Sequence, residues 1–130
     1  MPAHVIYSNI DPNPAGFSHF WLQDVLRNRL GFQGVIFSDD LSMQAASVAG
    51  DVVDRVRAAL KAGCDMALVC NDPESAAKVL DQLEVPNDPV AHLRLVRLHG
   101  RNVVNRQKML KDINWHRAVA DVRQLATFLA

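Results

Sequence analysis

The chain has 130 residues, of which 49% are hydrophobic, so it is long enough for one domain of ordinary size with a packed core. Its 14 basic and 14 acidic residues cancel, and this balance argues against a nucleic-acid-binding module, which usually carries a basic excess. No apolar run approaches the length of a membrane span, and the first residues do not have the charged and apolar regions of a secretion signal.

The first predicted element is a short strand at residues 5–7, which Pro2 closely precedes. The loop that follows, "NIDPNPAG", is rich in residues that favour turns. Ser18 then predicts the N-cap of a helix from about His19 to Leu30, because apolar residues recur there at helical spacing. Gly31 is a suitable end for this helix.

Two continuous apolar runs predict strands that are covered on both faces, as in parallel sheets: "GVIFSD" at 34–39 and "CDMALVC" at 64–70. Between them we expect a short helical turn and then a helix from the N-cap Asp51 to about Ala62. After the second run, Asp72 and Pro73 favour the start of another helix. This alternation predicts parallel strands joined by right-handed crossovers.

The last part of the chain predicts two amphipathic helices, at about 88–110 and 114–129. We therefore expect one domain over 1–130, with β/α units in residues 1–87 and closing helices in residues 88–130. The basic residues of this last part favour a solvated helix face over a phosphate-binding one.

Three segments carry polar residues at the edge where parallel α/β folds place their ligand sites. The opening segment carries His4, the second ends in Ser38, Asp39 and Asp40, and the third ends in Cys70, Asn71 and Asp72. For most of them a structural role is as good an explanation. Asp72 is better explained as a helix cap, and Asn71 as a turn residue. For Asp40, a cap of the turn after its strand is as good an explanation as a functional role, and for His4 a surface position is. Asp39 directly follows an apolar strand, where desolvation of a carboxylate is costly, and is the strongest candidate for a functional group.

The two cysteines, Cys64 and Cys70, do not make a disulfide framework and have no neighbouring ligands at metal-binding spacing. They predict buried, reduced thiols, which favours a cytoplasmic protein. Met43 and Met66 are better explained by packing than by ligand contact. Because Met43 lies near the strand edge, a contact with a ligand stays an alternative for it.

Three stretches resemble glycoside hydrolase family 3: "MPAHVIY", "GVIFSDDLSM" and "ALKAGCDMALVC". Within the family they are most similar to bacterial cytoplasmic β-N-acetylglucosaminidases (β-hexosaminidases) of peptidoglycan recycling. The resemblance is strong over residues 1–72 and weaker to the C-terminus. It implies an α/β fold, the C-terminal part of a (β/α)8 TIM barrel with strands six to eight and the closing helices. Three strands cannot close such a barrel.

The resemblance implies retaining exo-hydrolysis that removes N-acetylglucosamine from peptidoglycan (anhydro)muropeptides, with no cofactor and no metal. The nucleophile of the family corresponds to Asp39, and Asp40 is expected to hold the loop. His4 and Met43 are expected to line the substrate-binding pocket. The family's acid/base histidine belongs to a Lys-His-Phe-Pro-Gly-His-Gly-like motif that this sequence lacks. We therefore expect the chain to be inactive alone and to need the missing N-terminal barrel half or self-association.

Two other functions are open to a strand that ends in aspartate. The aspartate could accept a phosphoryl group beside Mg²⁺, but such phosphatases use Asp-x-Asp, whereas Asp39 and Asp40 are adjacent. The chain could also be a non-catalytic structural or assembly fragment of a barrel, with its C-terminal helices as an interaction surface.

Overall fold

The computed structural model describes residues 1–84, 87–100 and 105–128, which form two compact units, Met1–Leu98 and His99–Ala130. The elements of the first unit are, in order, a 3₁₀ turn (Ala15–Phe17), a π-helix (Phe20–Arg29), strand β1 (Phe37–Asp40), a 3₁₀ helix (Gln44–Ala49), helix α1 (Val52–Ala62), strand β2 (Met66–Leu68), helix α2 (Pro73–Gln82) and helix α3 (Pro89–Val96). The second unit contains helices α4 (Arg106–Met109) and α5 (Ile113–Phe128). Among the described helices, none is both long and apolar enough to cross a membrane.

Strands β1 and β2 are parallel neighbours, and α1 connects them, as the sequence predicts. Both strands are shorter than the apolar runs, and β1 begins three residues later than predicted and includes Asp40. The pairing is irregular, because Phe37 faces Met66 while Asp40 faces Leu68. Strand β1 therefore holds one residue more than β2 between these two pairs, which is the arrangement of a β-bulge.

The strand predicted at residues 5–7 does not form. Ile6 makes an isolated antiparallel bridge with Pro14, and the carbonyl of Val5 accepts a hydrogen bond from the backbone N–H of Ala15 at 2.9 Å. The loop thus uses backbone groups that a third strand would need for pairing with the sheet. In the part of the chain that the structure describes, the sheet has two strands.

The predicted caps of α1 and α2 are confirmed. The carboxylates of Asp51 and Asp72 each accept a backbone N–H three residues later, at 3.0 Å, from Asp54 and Ser75. Each cap satisfies a donor in the first helical turn that would otherwise have no partner. Gly63 is the C-cap of helix α1, and its φ of 117° is a backbone conformation that residues with a side chain rarely adopt.

Two other helices differ from their predictions, and a third agrees with its own. The helix predicted from residue 19 has wide π-type turns, in which the N–H of Leu30 donates to the carbonyl of Val25. Helix α3 ends at Val96, well before residue 110, and residues 101–104 of that prediction lie outside the described part. Helix α5 matches its prediction within one residue at its start, and residue 129 is not described.

A core of small and branched apolar residues packs the first unit between the π-helix, the strands and α1. Its buried members are Leu22, Ile36, Leu41, Ala46, Val53, Val56, Ala59, Ala62, Cys64 and Val79. Ile36 and Leu41 flank β1 on both sides, so the strand and the polar residues at its end are held by packing.

A buried carboxylate ties three segments to the beginning of the sheet. Asp65 accepts from Arg27 of the π-helix at 2.6 Å, from Arg94 of α3 at 2.7 Å and from the backbone N–H of Ile36 at 2.7 Å. Desolvation lowers the pKa of Arg27, although the charge of Asp65 opposes this shift. The cluster fixes the end of the sheet opposite Asp39.

Candidate active site

Asp39 lies at the carboxyl end of β1, inside the irregular part of the ladder. Its side chain is half-buried, and its Oδ1 accepts the backbone N–H of Asp40 at 2.9 Å. Among the residues that the structure describes, no donor reaches its other oxygen, Oδ2. The backbone thus holds one oxygen of the Asp39 carboxylate, while the other has no donor among the described residues.

Ser38 fills the gap that the bulge leaves between the strands. Its side chain is 1% exposed, and its hydroxyl accepts the backbone N–H of Leu68 at 2.9 Å. The same hydroxyl donates to the carbonyl of Asp39 at 2.7 Å. The Ser38 hydroxyl thus accepts a backbone N–H that a backbone carbonyl would accept in a regular parallel pair of strands.

Asp40 connects the loop after β1 to the end of β2. Its Oδ1 accepts the backbone N–H of Ser42 at 2.9 Å and that of Cys70 at 3.0 Å, and the Ser42 hydroxyl lies 2.8 Å from both carboxylate oxygens. Desolvation raises the pKa of Asp40, but the hydrogen bonds from Cys70 and Ser42 outweigh it, and the pKa lies below its ordinary value. The expectation that Asp40 holds this loop is confirmed.

His4 lies against the same strand end. Its Nε2 is 3.1 Å from the backbone carbonyl of Asp40, so Nε2 carries a hydrogen, and its ring stacks on Phe17 at 5.2 Å. Its Nδ1 is buried and has no partner among the described residues. These contacts place His4 beside the residue that follows Asp39 and leave its role toward a substrate as a prediction.

Met43 is exposed, in the loop that follows Asp40. Arg55 of α1 holds this loop, because its guanidinium donates to the carbonyls of Leu41 and Gly50 at 2.9 and 2.8 Å. The role of Met43 in substrate binding also stays a prediction.

A polar cavity of about 400 Å³ lies beside this loop. Its walls include Ser42, Arg55 and the ion pair of Lys78 with Asp51, whose N–O distance is 2.8 Å. Asp39 does not line it, so this cavity is not the predicted sugar pocket. The described residues include no group of three His, Cys, Asp or Glu side chains that could hold a metal ion.

Both cysteines are free, Cys64 is buried and Cys70 is half-buried. Desolvation raises the pKa of the Cys64 thiol to about 12, and the neighbouring charge of Asp65 adds to this effect. Of the two thiols predicted to be buried, Cys64 is buried and Cys70 is not fully so, and the raised pKa of Cys64 disfavours its reactive thiolate form.

Sequence reasoning placed Ser38 at the strand end without a role, and it missed Ser42 and Arg55 as parts of this site. The spacing of Asp40 and Ser42 is that of an Asx turn, so Ser42 could have been found from the sequence. The roles of Ser38 and Arg55 depend on the bulge and on the approach of α1, and no local pattern encodes either contact.

The comparisons with known proteins identify the family. Residues 1–99 match the sequence profile of the glycosyl hydrolase family 3 N terminal domain. The chain belongs to glycosyl hydrolase family 3. The profile describes the family's N-terminal domain and does not test whether the chain is the C-terminal part of a barrel within it, which stays a prediction.

Two relatives are named beta-hexosaminidase. The one from Thioalkalivibrio sulfidiphilus is 57% identical over 96% of this chain and 36% of its own length, and the one from Alkalilimnicola ehrlichii is 55% identical over 95% and 35%. This family 3 chain thus spans about a third of the length of the curated relatives that it matches.

Solved structures agree with this assignment. NagZ from Neisseria gonorrhoeae, in complex with N-trifluoroacetyl-D-glucosamine, superposes with a TM-score of 0.78 at 40% identity, over 97% of this chain and 37% of NagZ. The beta-N-acetylglucosaminidase from Thermotoga maritima gives 0.60 at 33% identity, over 77% and 25%.

Proposed function

We propose that this chain is the part of a family 3 β-N-acetylglucosaminidase that carries the catalytic nucleophile, Asp39. The carboxylate at the end of β1, with Oδ1 held by the N–H of Asp40 and Oδ2 without a partner among the described residues, is the single observation that supports this most directly. In retaining hydrolysis such a carboxylate attacks the anomeric carbon and forms a covalent glycosyl-enzyme intermediate, which water then hydrolyses.

The rest of the proposal follows from the family and from the relatives. The chain forms the last β/α units of a (β/α)8 barrel, and β1 and β2 are two of its neighbouring parallel strands. The substrate is N-acetylglucosamine linked to a peptidoglycan (anhydro)muropeptide in the cytoplasm. His4 and Met43 line the sugar pocket, and His4 also steadies the backbone at Asp40. The remainder of the barrel supplies the acid/base and most contacts to the sugar.

A chimera tests the nucleophile. In it, this chain replaces the matching 37% of Neisseria gonorrhoeae NagZ. We expect the chimera to hydrolyse 4-nitrophenyl N-acetyl-β-glucosaminide, Asp39→Asn to lower its kcat about 10⁴-fold or more, and the chain alone to show no turnover. Asp72→Asn is the matched control, because Asp72 follows the neighbouring strand and caps α2.

Two results would contradict the proposal. One is an Asp39→Asn chimera that keeps a tenth or more of the activity. The other is a mass spectrum of the acid-quenched enzyme in which the sugar is attached to a peptide without Asp39.

A further inference from the structure

We infer that Ser38 is a positioning residue for the Asp39 carboxylate, and this inference rests on the proposed role of Asp39 as nucleophile. Ser38 does not reach a substrate, because its side chain is buried and its hydroxyl already donates to Asp39 and accepts from Leu68. Its effect on the reaction must therefore act through the residue that follows it.

The irregular register explains why a side chain is needed here. Between the pairs Phe37–Met66 and Asp40–Leu68, β1 contains one residue more than β2. A bulge of this kind redirects the side chains beside it, and it leaves ladder groups without their usual partners. The N–H of Leu68 would be such a group, and the hydroxyl of Ser38 satisfies it.

The same hydroxyl fixes the backbone of the nucleophile. It donates to the carbonyl of Asp39 at 2.7 Å, while the next N–H along the chain, that of Asp40, donates to the Asp39 carboxylate at 2.9 Å. Both polar ends of the peptide group between Asp39 and Asp40 are thus held, its carbonyl by the Ser38 hydroxyl and its N–H by the Asp39 carboxylate. Without the hydroxyl, the N–H of Leu68 and the carbonyl of Asp39 lose a partner, and the peptide group whose N–H orients the carboxylate is held less firmly.

The expected effect is on the chemical step. A displacement of about 1 Å in a reacting group can cost about 100-fold in rate, whereas the sugar is held by other parts of the barrel. In the chimera, Ser38→Ala is expected to lower kcat about 100-fold with KM changed less than about threefold. Ser38→Thr keeps a hydroxyl at the same position and is expected to retain kcat within about fivefold.

Ser18→Ala is the matched control. Ser18 is also 1% exposed, and its hydroxyl also accepts one backbone N–H, from Trp21 at 3.1 Å, and donates one bond, to Asp11 at 2.6 Å. It is not part of the strand end. Loss of this hydroxyl is expected to lower Tm about as much as Ser38→Ala does, and to leave kcat within about twofold.

Rapid-mixing kinetics separate positioning from general destabilisation. With a good leaving group, the first turnover reports the attack of Asp39, and the later turnovers report hydrolysis of the intermediate. If the leaving group is released more slowly in the first turnover of Ser38→Ala, but not in that of Ser18→Ala, the inference is supported. It is overturned if the first-turnover rate of Ser38→Ala stays within threefold of that of the parent chimera, or if both variants slow the first turnover equally, while Asp39→Asn remains inactive. If Asp39→Asn is active, the proposed function fails instead.

Discussion

At the scale of single residues, two adjacent carboxylates have different surroundings. Asp40 accepts hydrogen bonds at both oxygens from the loop and one from Cys70 beyond the end of β2, whereas Asp39 uses one oxygen to accept a neighbouring backbone N–H. Successive side chains of a strand point to opposite faces, so each carboxylate meets different partners. The geometry thus gives Asp40 a structural role and leaves one oxygen of Asp39 without a donor among the described residues, as its proposed role as nucleophile requires.

Asp65→Asn tests the buried ion cluster. Asp65 and Arg27 have side chains that are 3% and 5% exposed, so the neutral amide would leave the Arg27 charge buried without its counter-ion. We expect a loss of about 3–5 kcal/mol in the free energy of unfolding, measured by urea denaturation. Asp54→Asn removes an exposed pair with Arg57 and should cost less than about 1 kcal/mol. Equal costs for the two variants would show that the buried cluster adds no special stability.

At the scale of elements, an ion pair joins the helices that follow the two strands. Lys78 of α2 donates to Asp51, the N-cap of α1, at 2.8 Å. The hydrogen bond from Lys78, with help from the N–H of Asp54, lowers the pKa of Asp51 from 3.8 to about 2. The lowered pKa means that the Asp51 carboxyl binds a proton less readily in the folded state than in the unfolded state.

The pH dependence of stability follows from this shift. A depressed carboxyl pKa stabilises the fold above the unfolded value of 3.8, and the contribution is lost as pH falls toward 2. Unfolding midpoints of wild type and Asp51→Asn, measured between pH 2 and pH 6, should differ by a constant amount above about pH 5 and converge near pH 2. Asn keeps the helix cap, so the difference isolates the charge. A difference that does not change over this range would contradict the assignment.

At the scale of the whole molecule, the first unit exposes apolar surface that the rest of the proposed barrel would cover. Four large apolar residues of the N-terminal loop are exposed: Val5, Ile6, Tyr7 and Ile10. The described sheet has two strands, so each strand has an edge with no partner among the described residues. Such surface is typical of an interaction site or of an incomplete domain.

Dye binding and sedimentation test this interpretation. We expect the isolated chain to bind a hydrophobic dye several-fold more than the chimera does, and to sediment as a monomer or as a mixture of species. A single stable dimer that binds no dye would favour the structural or assembly fragment over a piece of a barrel. The chimera, in which the remaining NagZ segments are present, is the matched control for both measurements on the isolated chain.

The sequence by itself determined the features that depend on neighbours along the chain. The caps Asp51 and Asp72 and the two parallel strands follow from short patterns, because the partner of each cap lies within a few residues and the alternation of strands and helices indicates parallel pairing. The loop-holding role of Asp40 was expected only from the resemblance to the family. Tertiary structure alone decided the bulge at Asp39 and the use of Ser38 in the ladder, since register depends on how two distant strands pack. It also decided the local pairing of residues 5–7, because backbone groups form hydrogen bonds with whatever segment the fold brings near them.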